Sequence, residues 1–186
     1  MKKFELTTEF ITNAFGKKLF RIKALVEFGN VKAGELGGYV EKEGNVSQDN
    51  NAWVFGNAWV YGNARVSGNA EVFGNARVSG NAKVLGNARV SGDALISGNA
   101  RVSGNAEVSG DADYALVKGF GAEFRCTTFY RDKNKKIMVN CGYFHGDLEA
   151  FRKQVKETRS GKIAKEYLMI ADLMEYHFTS EGSNNE

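Results

Sequence analysis

The chain has 186 residues, two cysteines and a formal net charge of +3. Two cysteines exclude a disulfide framework and fit a cytosolic compartment. We find neither a secretory leader nor an apolar run long enough to cross a bilayer, so we expect a cytoplasmic protein without a membrane partner. The charge is too small for strong non-specific binding to phosphates, which makes direct nucleic-acid binding a disfavoured role.

Residues 1–44 are polar and strand-like, and we predict that they form an N-terminal β-hairpin and cap region. The two strands span residues 4–11 and 19–28, with a turn near residues 13–16. The open end of a stack of strands invites pairing with other chains, so a repeat array needs a cover. We expect the hairpin to cap or flank the repeat that follows it.

Residues 45–121 carry a six-residue repeat of the form Gly-Asn-Ala-x-Val-x. An aliphatic residue returns at every sixth position, with alanine two residues before it and glycine then Asn or Asp before the alanine. The aliphatic positions are Val54, Val60, Val66, Val72, Val78, Val84, Val90, Ile96, Val102 and Val108.

Each position in the repeat has a physical reason. Alanine and valine two residues apart point to the same side of a short strand, and valine suits a strand. Glycine and asparagine tolerate the positive φ of a tight corner. A helix would lose about 1 kcal/mol at each glycine, and ten hexads in one phase exclude disorder. The pattern therefore predicts a β-helix, in which only stacked coils bury the valines.

The repeat becomes irregular at both ends. Val40 and Val46 fall in the alanine position of a degenerate first coil, which places Lys42 and Gln48 in the core position. We therefore expect that coil to be irregular or capped. At the other end Tyr114 takes the valine position and the pattern dissolves.

Residues 122–186 are predicted to form a small ββαα domain with a disordered tail. Residues 124–130 and 137–144 are the strands, joined by the turn Asp132-Lys133-Asn134-Lys135. Asp147 is the candidate N-cap of a helix that buries Leu148, Phe151 and Val155, and a second helix covers about residues 163–178. If Arg131 pairs with Lys136, Cys126 lies directly opposite Cys141.

The repeat resembles the left-handed parallel β-helix of hexapeptide-repeat proteins. That resemblance implies a mainly β fold whose coil contains three hexads, so that residues eighteen apart stack about 4.8 Å apart. Residues 19–25 (LFRIKAL), 28–29 (FG) and 32–41 (KAGELGGYVE) resemble uncharacterised phage and prophage hexapeptide-repeat proteins. The motif Cys141-Gly142-x-Phe144-x-Gly146 before a helix resembles a module often attached to them. Many small phage proteins block bacterial immunity, which implies a bacterial host cell as the location.

Hexapeptide acyltransferases have this solenoid and use a histidine base beside a coenzyme A cleft. The repeat contains no histidine, so we expect neither catalytic residues nor a cofactor, and a diverged acyltransferase-like enzyme is the alternative. His145, His177, Cys126 and Cys141 are candidates for a zinc site or, for the cysteines, a labile disulfide. We favour cysteines that act as buried small hydrophobes, and hence no metal.

Outward positions of the repeat suggest where a partner binds. Arg65, Lys83 and Arg101 stack in one column, which is either an ordinary solvated face or a site for an acidic partner. The C-terminal hairpin concentrates five further cations within twelve residues. These five are Arg125, Arg131, Lys133, Lys135 and Lys136. A column with Asn57, Asn75, Asp93 and Asp111 is open to a cation, although capping of backbone N–H groups is the simpler interpretation.

Outward aromatic residues suggest self-association. Phe55 stacks on Phe73 beside Trp53, and a stripe on the second helix contains Tyr167, Ile170 and Met174. Outward aromatics in such number indicate either an interface or coverage within the chain. We predict a homo-oligomer, a dimer or a trimer, with either the Phe55–Phe73 column or the stripe of Tyr167, Ile170 and Met174 at the contact.

The sequence as a whole favours a non-catalytic phage-type binding protein. Its partner would be a host protein or ribonucleoprotein, and a CRISPR effector of bacterial antiviral defence is the specific hypothesis. A structural phage component is a further alternative.

Overall fold

The computed structural model describes residues 1–121 and 123–179. The chain divides into two compact units, Met1–Asp111 and Ala112–Glu186. The first unit contains the hairpin and the solenoid together. None of the described helices is both long and apolar enough to span a bilayer.

The N-terminal hairpin is confirmed, and it has a third strand. Strands β1 (Phe4–Thr12) and β2 (Lys18–Ala24) pair antiparallel around a turn that the Asn13 side chain holds by accepting hydrogen bonds from two backbone N–H groups. Strand β2 ends at Ala24, earlier than predicted. Strand β3 (Leu36–Val40) pairs antiparallel with β2 and parallel with the first solenoid side, so the hairpin extends a solenoid sheet.

The solenoid consists of ten two-residue strands separated by tight corners. They are β4 (Trp53–Val54), β5 (Trp59–Val60), β6 (Arg65–Val66), β7 (Glu71–Val72), β8 (Arg77–Val78), β9 (Lys83–Val84), β10 (Arg89–Val90), β11 (Leu95–Ile96), β12 (Arg101–Val102) and β13 (Glu107–Val108). Short 3-10 turns cover Glu43–Asn45 and Asp111–Asp113.

Strands eighteen residues apart pair in parallel, which confirms the predicted coil of three hexads. The first sheet contains β3, β5, β8 and β11, the second β4, β7, β10 and β13, and the third β6, β9 and β12. Together they make about four coils. The repeated alanines and valines point inward and are buried, and Val78 in the middle has no exposed surface.

The corners combine glycine backbone geometry with asparagine hydrogen bonds. Gly80 has φ +66°, and a Cβ there would lie 2.9 Å from the Gly98 carbonyl oxygen of the next coil. Asn63 donates to Asn81 (3.2 Å) and Asn81 to Asn99 (3.0 Å), while Asn75 donates to Asp93 (3.1 Å). Glycine is required because both the torsion angle and the coil spacing exclude a side chain.

The first coil differs from its predicted phase. Val40 pairs with Val60 and Val46 with Val66, so both occupy the valine position and not the alanine position. The offset is twenty residues there, against eighteen elsewhere. Two extra residues lie between Val46 and Val54, and they shift Lys42 and Gln48 out of the core position. This irregular segment is where the hairpin docks.

The second unit has four strands, where the sequence predicted two. Strands β14 (Tyr114–Phe120), β15 (Arg125–Arg131), β16 (Ile137–Cys141) and β17 (Phe144–Asp147) form one antiparallel sheet in that order. Because β14 pairs with β15, the boundary between the units falls at Asp111 and not at the predicted residue 121.

Two helices cover one face of this sheet. Helix α1 (Leu148–Thr158) begins at the predicted N-cap, where Asp147 accepts a hydrogen bond from the Ala150 N–H, and α2 spans Gly161–Thr179. Phe129 and Val139 from the sheet pack with Phe151 and Tyr167 from the helices. The predicted disordered tail lies outside the described residues.

Candidate functional site

The three outer sides of the solenoid carry different side chains in the outward position of each strand. The first sheet presents Trp59, Arg77 and Leu95 in successive coils, and the second Trp53, Glu71, Arg89 and Glu107. The third presents Arg65, Lys83 and Arg101, which we call the basic column.

Cations outside the basic column have favourable neighbours one coil away. Arg89 lies 3.5 Å from the Glu71 carboxylate, and its guanidinium also lies 5.1 Å from the centre of the Phe73 ring. Arg77 lies 4.4 Å from the centre of the Trp59 ring. Opposite charges and aromatic faces in neighbouring strands stabilise a sheet.

Within the basic column, Arg65 and Lys83 lack this arrangement. Arg65 pairs with Lys83 and Lys83 with Arg101, so each strand places a cation beside another cation. Within the described residues, neither Arg65 nor Lys83 has a carboxylate within 4.0 Å. Like charges in this register repel. The pairing of Arg65 with Lys83 therefore has an electrostatic cost that the other two sides avoid.

A shallow depression adjoins the basic column. Arg65 and Lys83 line it with Ser47, Ser67 and Leu85, and its volume is about 330 Å³. The two cations and the serine hydroxyl groups beside them can bind an acidic group of a partner. The sequence predicted the column and did not predict this depression.

The outward aromatic residues differ in how far they are buried. Trp53 is fully buried, because the rings of Phe4 and Phe28 pack edge-on against it at centroid distances of 5.8 and 5.3 Å. Coverage within the chain, one of the two predicted alternatives, therefore holds for Trp53. Phe55 and Phe73 are half-buried and remain the candidate contact of the solenoid.

A buried lysine joins the hairpin to the irregular first coil. The Lys3 amine donates to the carbonyl oxygens of Asn50 (3.1 Å) and Ala52 (2.8 Å) and lies 4.7 Å from the centre of the Phe28 ring. Burial lowers its pKa from 10.5 to about 8, although the Asp49 charge acts in the opposite direction. Sequence analysis missed this residue, because nothing in the pattern places Lys3 beside residues 50–52.

The cations predicted on the C-terminal hairpin do not act as one cluster. Lys133, Lys135 and Lys136 are exposed in the turn, which the Asp132 carboxylate holds by accepting from two backbone N–H groups. Arg125 lies at the opposite end of strand β15, about 20 Å along the strand at about 3.3 Å per residue. Only the three turn lysines therefore form a joint surface.

Arg131 is a structural residue, which corrects its predicted role in partner binding. Its guanidinium lies 3.5 Å from the Asp113 carboxylate and donates to the Phe178 carbonyl oxygen. It also lies over the Phe178 ring. These contacts join the sheet to helix α2, and they leave the side chain largely covered.

The predicted oligomer stripe on α2 is wrong. Tyr167, Ile170 and Met174 are buried in the core of the second unit, because the sheet covers that side of the helix. The exposed large residues of the helix are Met169, Leu173 and Tyr176. The helical period indicated an apolar stripe correctly, but it does not say what covers the stripe.

The predicted pairing of the cysteines is also wrong, by one residue. Arg131 pairs with Ile137, so Thr127 lies opposite Cys141 and its hydroxyl is 3.1 Å from the sulfur. A one-residue shift reverses the face of every side chain. Cys126 and Cys141 therefore lie on opposite faces of the sheet, and both are free thiols.

The histidines lie in the second unit and are exposed. His145 is 3.1 Å from the Tyr130 hydroxyl, which also accepts from the Asn140 amide at 3.0 Å. The ring of His177 packs on that of Phe178. In residues 1–121 and 123–179, no three His, Cys, Asp or Glu side chains are grouped to hold a metal ion.

One family model matches the chain. It is described as the YdcK beta solenoid repeat, and it matches residues 58–72 and 94–110. Both segments lie in the coils described above, which supports a solenoid repeat protein. No curated protein matches the chain.

Proposed function

We propose that this protein is a non-catalytic binding protein of phage type, whose solenoid holds the basic column against an acidic surface of a host macromolecule. The observation that carries the proposal is the register of Arg65 and Lys83. Two sides of the same solenoid place carboxylates or aromatic rings beside their cations. The third side keeps like charges together, and an acidic partner would remove the repulsion.

The partner proposed here is a protein or a ribonucleoprotein of the bacterial host. A column of three cations contacts too few phosphates to hold long nucleic acid by itself, since such binding weakens steeply with salt. Charges of this kind mainly raise association rate and specificity. The resemblance of residues 19–41 to phage proteins favours an antiviral defence effector, such as a CRISPR nuclease complex.

A phage plating assay tests this function. Expression in a bacterium with active CRISPR interference is expected to raise the plating of a targeted phage. Arg65→Glu with Lys83→Glu is expected to abolish the increase, because it replaces two of the three cations of the basic column with carboxylates. Arg77→Glu is the matched control, since Arg77 occupies the same strand position on another side. Equal loss in both variants would move the binding surface away from the basic column.

Two alternatives are distinguished by direct measurements. A diverged acyltransferase would bind coenzyme A, and we expect no binding in calorimetry at millimolar concentrations. A structural phage component would be found by mass spectrometry of purified virions. Coenzyme A binding or stoichiometric presence in virions would contradict the proposed function.

We also propose that the protein forms a homo-oligomer through the Phe55–Phe73 side of the solenoid. Both rings are half-buried in one chain, and a second copy would cover the remainder. Light scattering is expected to give a multiple of the 20.4 kDa chain mass, and Phe73→Glu to reduce it. A monomer mass at micromolar concentration would refute the assembly.

A further inference from the structure

The second unit contains a small pocket between the edge of its sheet and its helices. Phe144 and Phe151 form an apolar wall, and Arg125, Arg159, Cys141 and Tyr167 supply polar groups. The volume of the pocket is about 60 Å³, and one ordered water needs about 10–15 Å³. The pocket therefore accepts a group of only a few heavy atoms.

The sequence motif before helix α1 builds this pocket. Cys141 and Phe144 line it directly. Gly142 has φ +61°, which favours glycine, and a Cβ there would lie 2.5 Å from the Arg125 Nη1 atom, so the guanidinium lies directly beside this turn. Gly146 makes room for the Phe144 ring, since its Cβ would lie 2.8 Å from that ring.

The polar side of the pocket favours an anion. Its charged side chains are two arginines and Glu123, whose carboxylate is mostly exposed and 3.8 Å from Arg125. Glu123 can move into solvent when another anion takes its place. Burial and the neighbouring Cys141 raise the pKa of Tyr167, whereas the charges of Arg159 and Arg125 act against them. The phenol therefore stays a neutral hydrogen-bond donor.

We propose that this pocket binds a carboxylate on a short apolar stem, with its oxygen atoms toward Arg125 and Arg159 and its stem against Phe144 and Phe151. Arginine matches a carboxylate with parallel N–H donors. The stem accounts for the aromatic wall, which a bare inorganic anion would leave without a contact. The carboxylate belongs either to a small free acid or to a glutamate side chain of a protein. The proposal goes beyond the proposed function, because its residues are separate from the basic column.

The two cysteines provide an internal test in the unmodified protein. Cys141 lines the pocket and Cys126 lies on the other face of the sheet. Iodoacetate carries a carboxylate, and iodoacetamide is its neutral counterpart. At low salt we expect the ratio of iodoacetate to iodoacetamide labelling to be roughly fivefold higher at Cys141 than at Cys126, because cations concentrate an anion. Mass spectrometry of the two peptides measures both ratios.

Variants and a competitor complete the test. Arg125→Gln with Arg159→Gln is expected to reduce the Cys141 ratio to that of Cys126, and Lys153→Gln, an exposed cation on α1, to leave it unchanged. Butanoate is expected to protect Cys141 and butanamide to have no effect. The protection by butanoate needs no variant, so a folding failure of the double variant leaves the proposal testable.

The source of the carboxylate is decided by a second titration. Stronger protection of Cys141 by butanoate than by N-acetylglutamate amide indicates a free acid, and the reverse indicates a protein side chain. Equal ratios at the two cysteines, together with no protection by either compound, would overturn the proposal. That outcome leaves the plating assay of the basic column unaffected, so the two proposals fail separately.

Discussion

The solenoid and the second unit bury their side chains in different ways. Every solenoid coil repeats the same small inward residues, and backbone stacking completes the packing. The second unit packs a mixed set of aliphatic side chains with four aromatic rings, from Phe129, Phe151, Tyr167 and Phe178. The repeated core leaves the outward positions free to vary, so a binding surface can change without repacking. In the second unit, by contrast, residues of the mixed core line a small pocket.

The largest expected effect breaks the repeated core. Val78→Asp places an unpaired carboxylate among the inward valines and is expected to destabilise the first unit by about 4 kcal/mol. Thermal unfolding followed by circular dichroism measures the loss. Leu95→Asp is the control, because the Leu95 side chain points outward from a solenoid strand and is exposed. Unchanged melting of Val78→Asp would contradict the register of the solenoid.

The next effect concerns the glycine corners of the solenoid, which repeat in every coil and have no repeated counterpart in the second unit. Gly80→Ala is expected to cost about 1–2 kcal/mol, since alanine at positive φ is strained and its Cβ meets the next coil. Gly44→Ala is the control, because a Cβ there meets nothing within 4 Å. Denaturant unfolding should separate the two variants. Equal stability would show that the coil spacing adjusts to a side chain.

A third effect is expected at the contact between the hairpin and the first coil, where the repeat is irregular. Lys3 has a pKa of about 8 in the folded protein and about 10.4 when unfolded. Between these values the unfolded chain binds the additional proton, so stability from this group rises with pH from about 8 to 10.4. Lys3→Met is expected to remove that rise. Urea unfolding at several pH values in this window measures it, and an identical slope in the variant would show that Lys3 is not buried.

A smaller effect concerns the turn of the second unit. Replacing Lys133, Lys135 and Lys136 by Glu is expected to slow association with the partner at low salt, because exposed cations steer an acidic surface. The difference should shrink as salt rises. Stopped-flow or surface-binding rates measure it, with circular dichroism as the folding control. An unchanged association rate at low salt would exclude the turn as a binding surface.

The smallest effect is expected at the histidines. His145→Ala with His177→Ala should leave biological activity nearly intact, because a binding protein needs neither as a base nor as a metal ligand. The plating assay described above measures activity. Complete loss of activity in a variant that keeps its melting temperature would indicate that the histidines act in catalysis or bind a metal. The second unit would then do more than bind a partner.

Repetition explains why the solenoid could be predicted and the second unit only in part. Ten hexads report the same environment ten times, so the pattern defines the inward valines. The eighteen-residue register was implied by the resemblance to hexapeptide-repeat proteins, and the strand pairing confirms it. Strand β14 occurs only once in the chain. The pairing of β15 with β16 also occurs once, and its register depends on a single turn. The one-residue error that placed Cys126 opposite Cys141 came from that turn.

Local sequence also could not show which side chains are covered by other parts of the chain. Trp53 occupies an outward position by its phase, and it is buried only because Phe4 and Phe28 from the hairpin close over it. Tyr167 has the spacing of a surface stripe, yet a sheet covers it. Period identifies which residues share a face, and contacts distant in the chain decide whether that face meets water.

The sequence by itself determined the inward residues of the solenoid and the cap of helix α1, because each depends on short-range periodicity or on one turn of chain. The coil of three hexads and the basic column needed in addition the resemblance to hexapeptide-repeat proteins. Tertiary structure alone decided the burial of Lys3, the two-residue shift of the first coil, the structural role of Arg131 and the pocket behind Cys141 and Gly142. Those features depend on side chains that are distant in sequence and meet only after folding, when desolvation and steric exclusion act on them together.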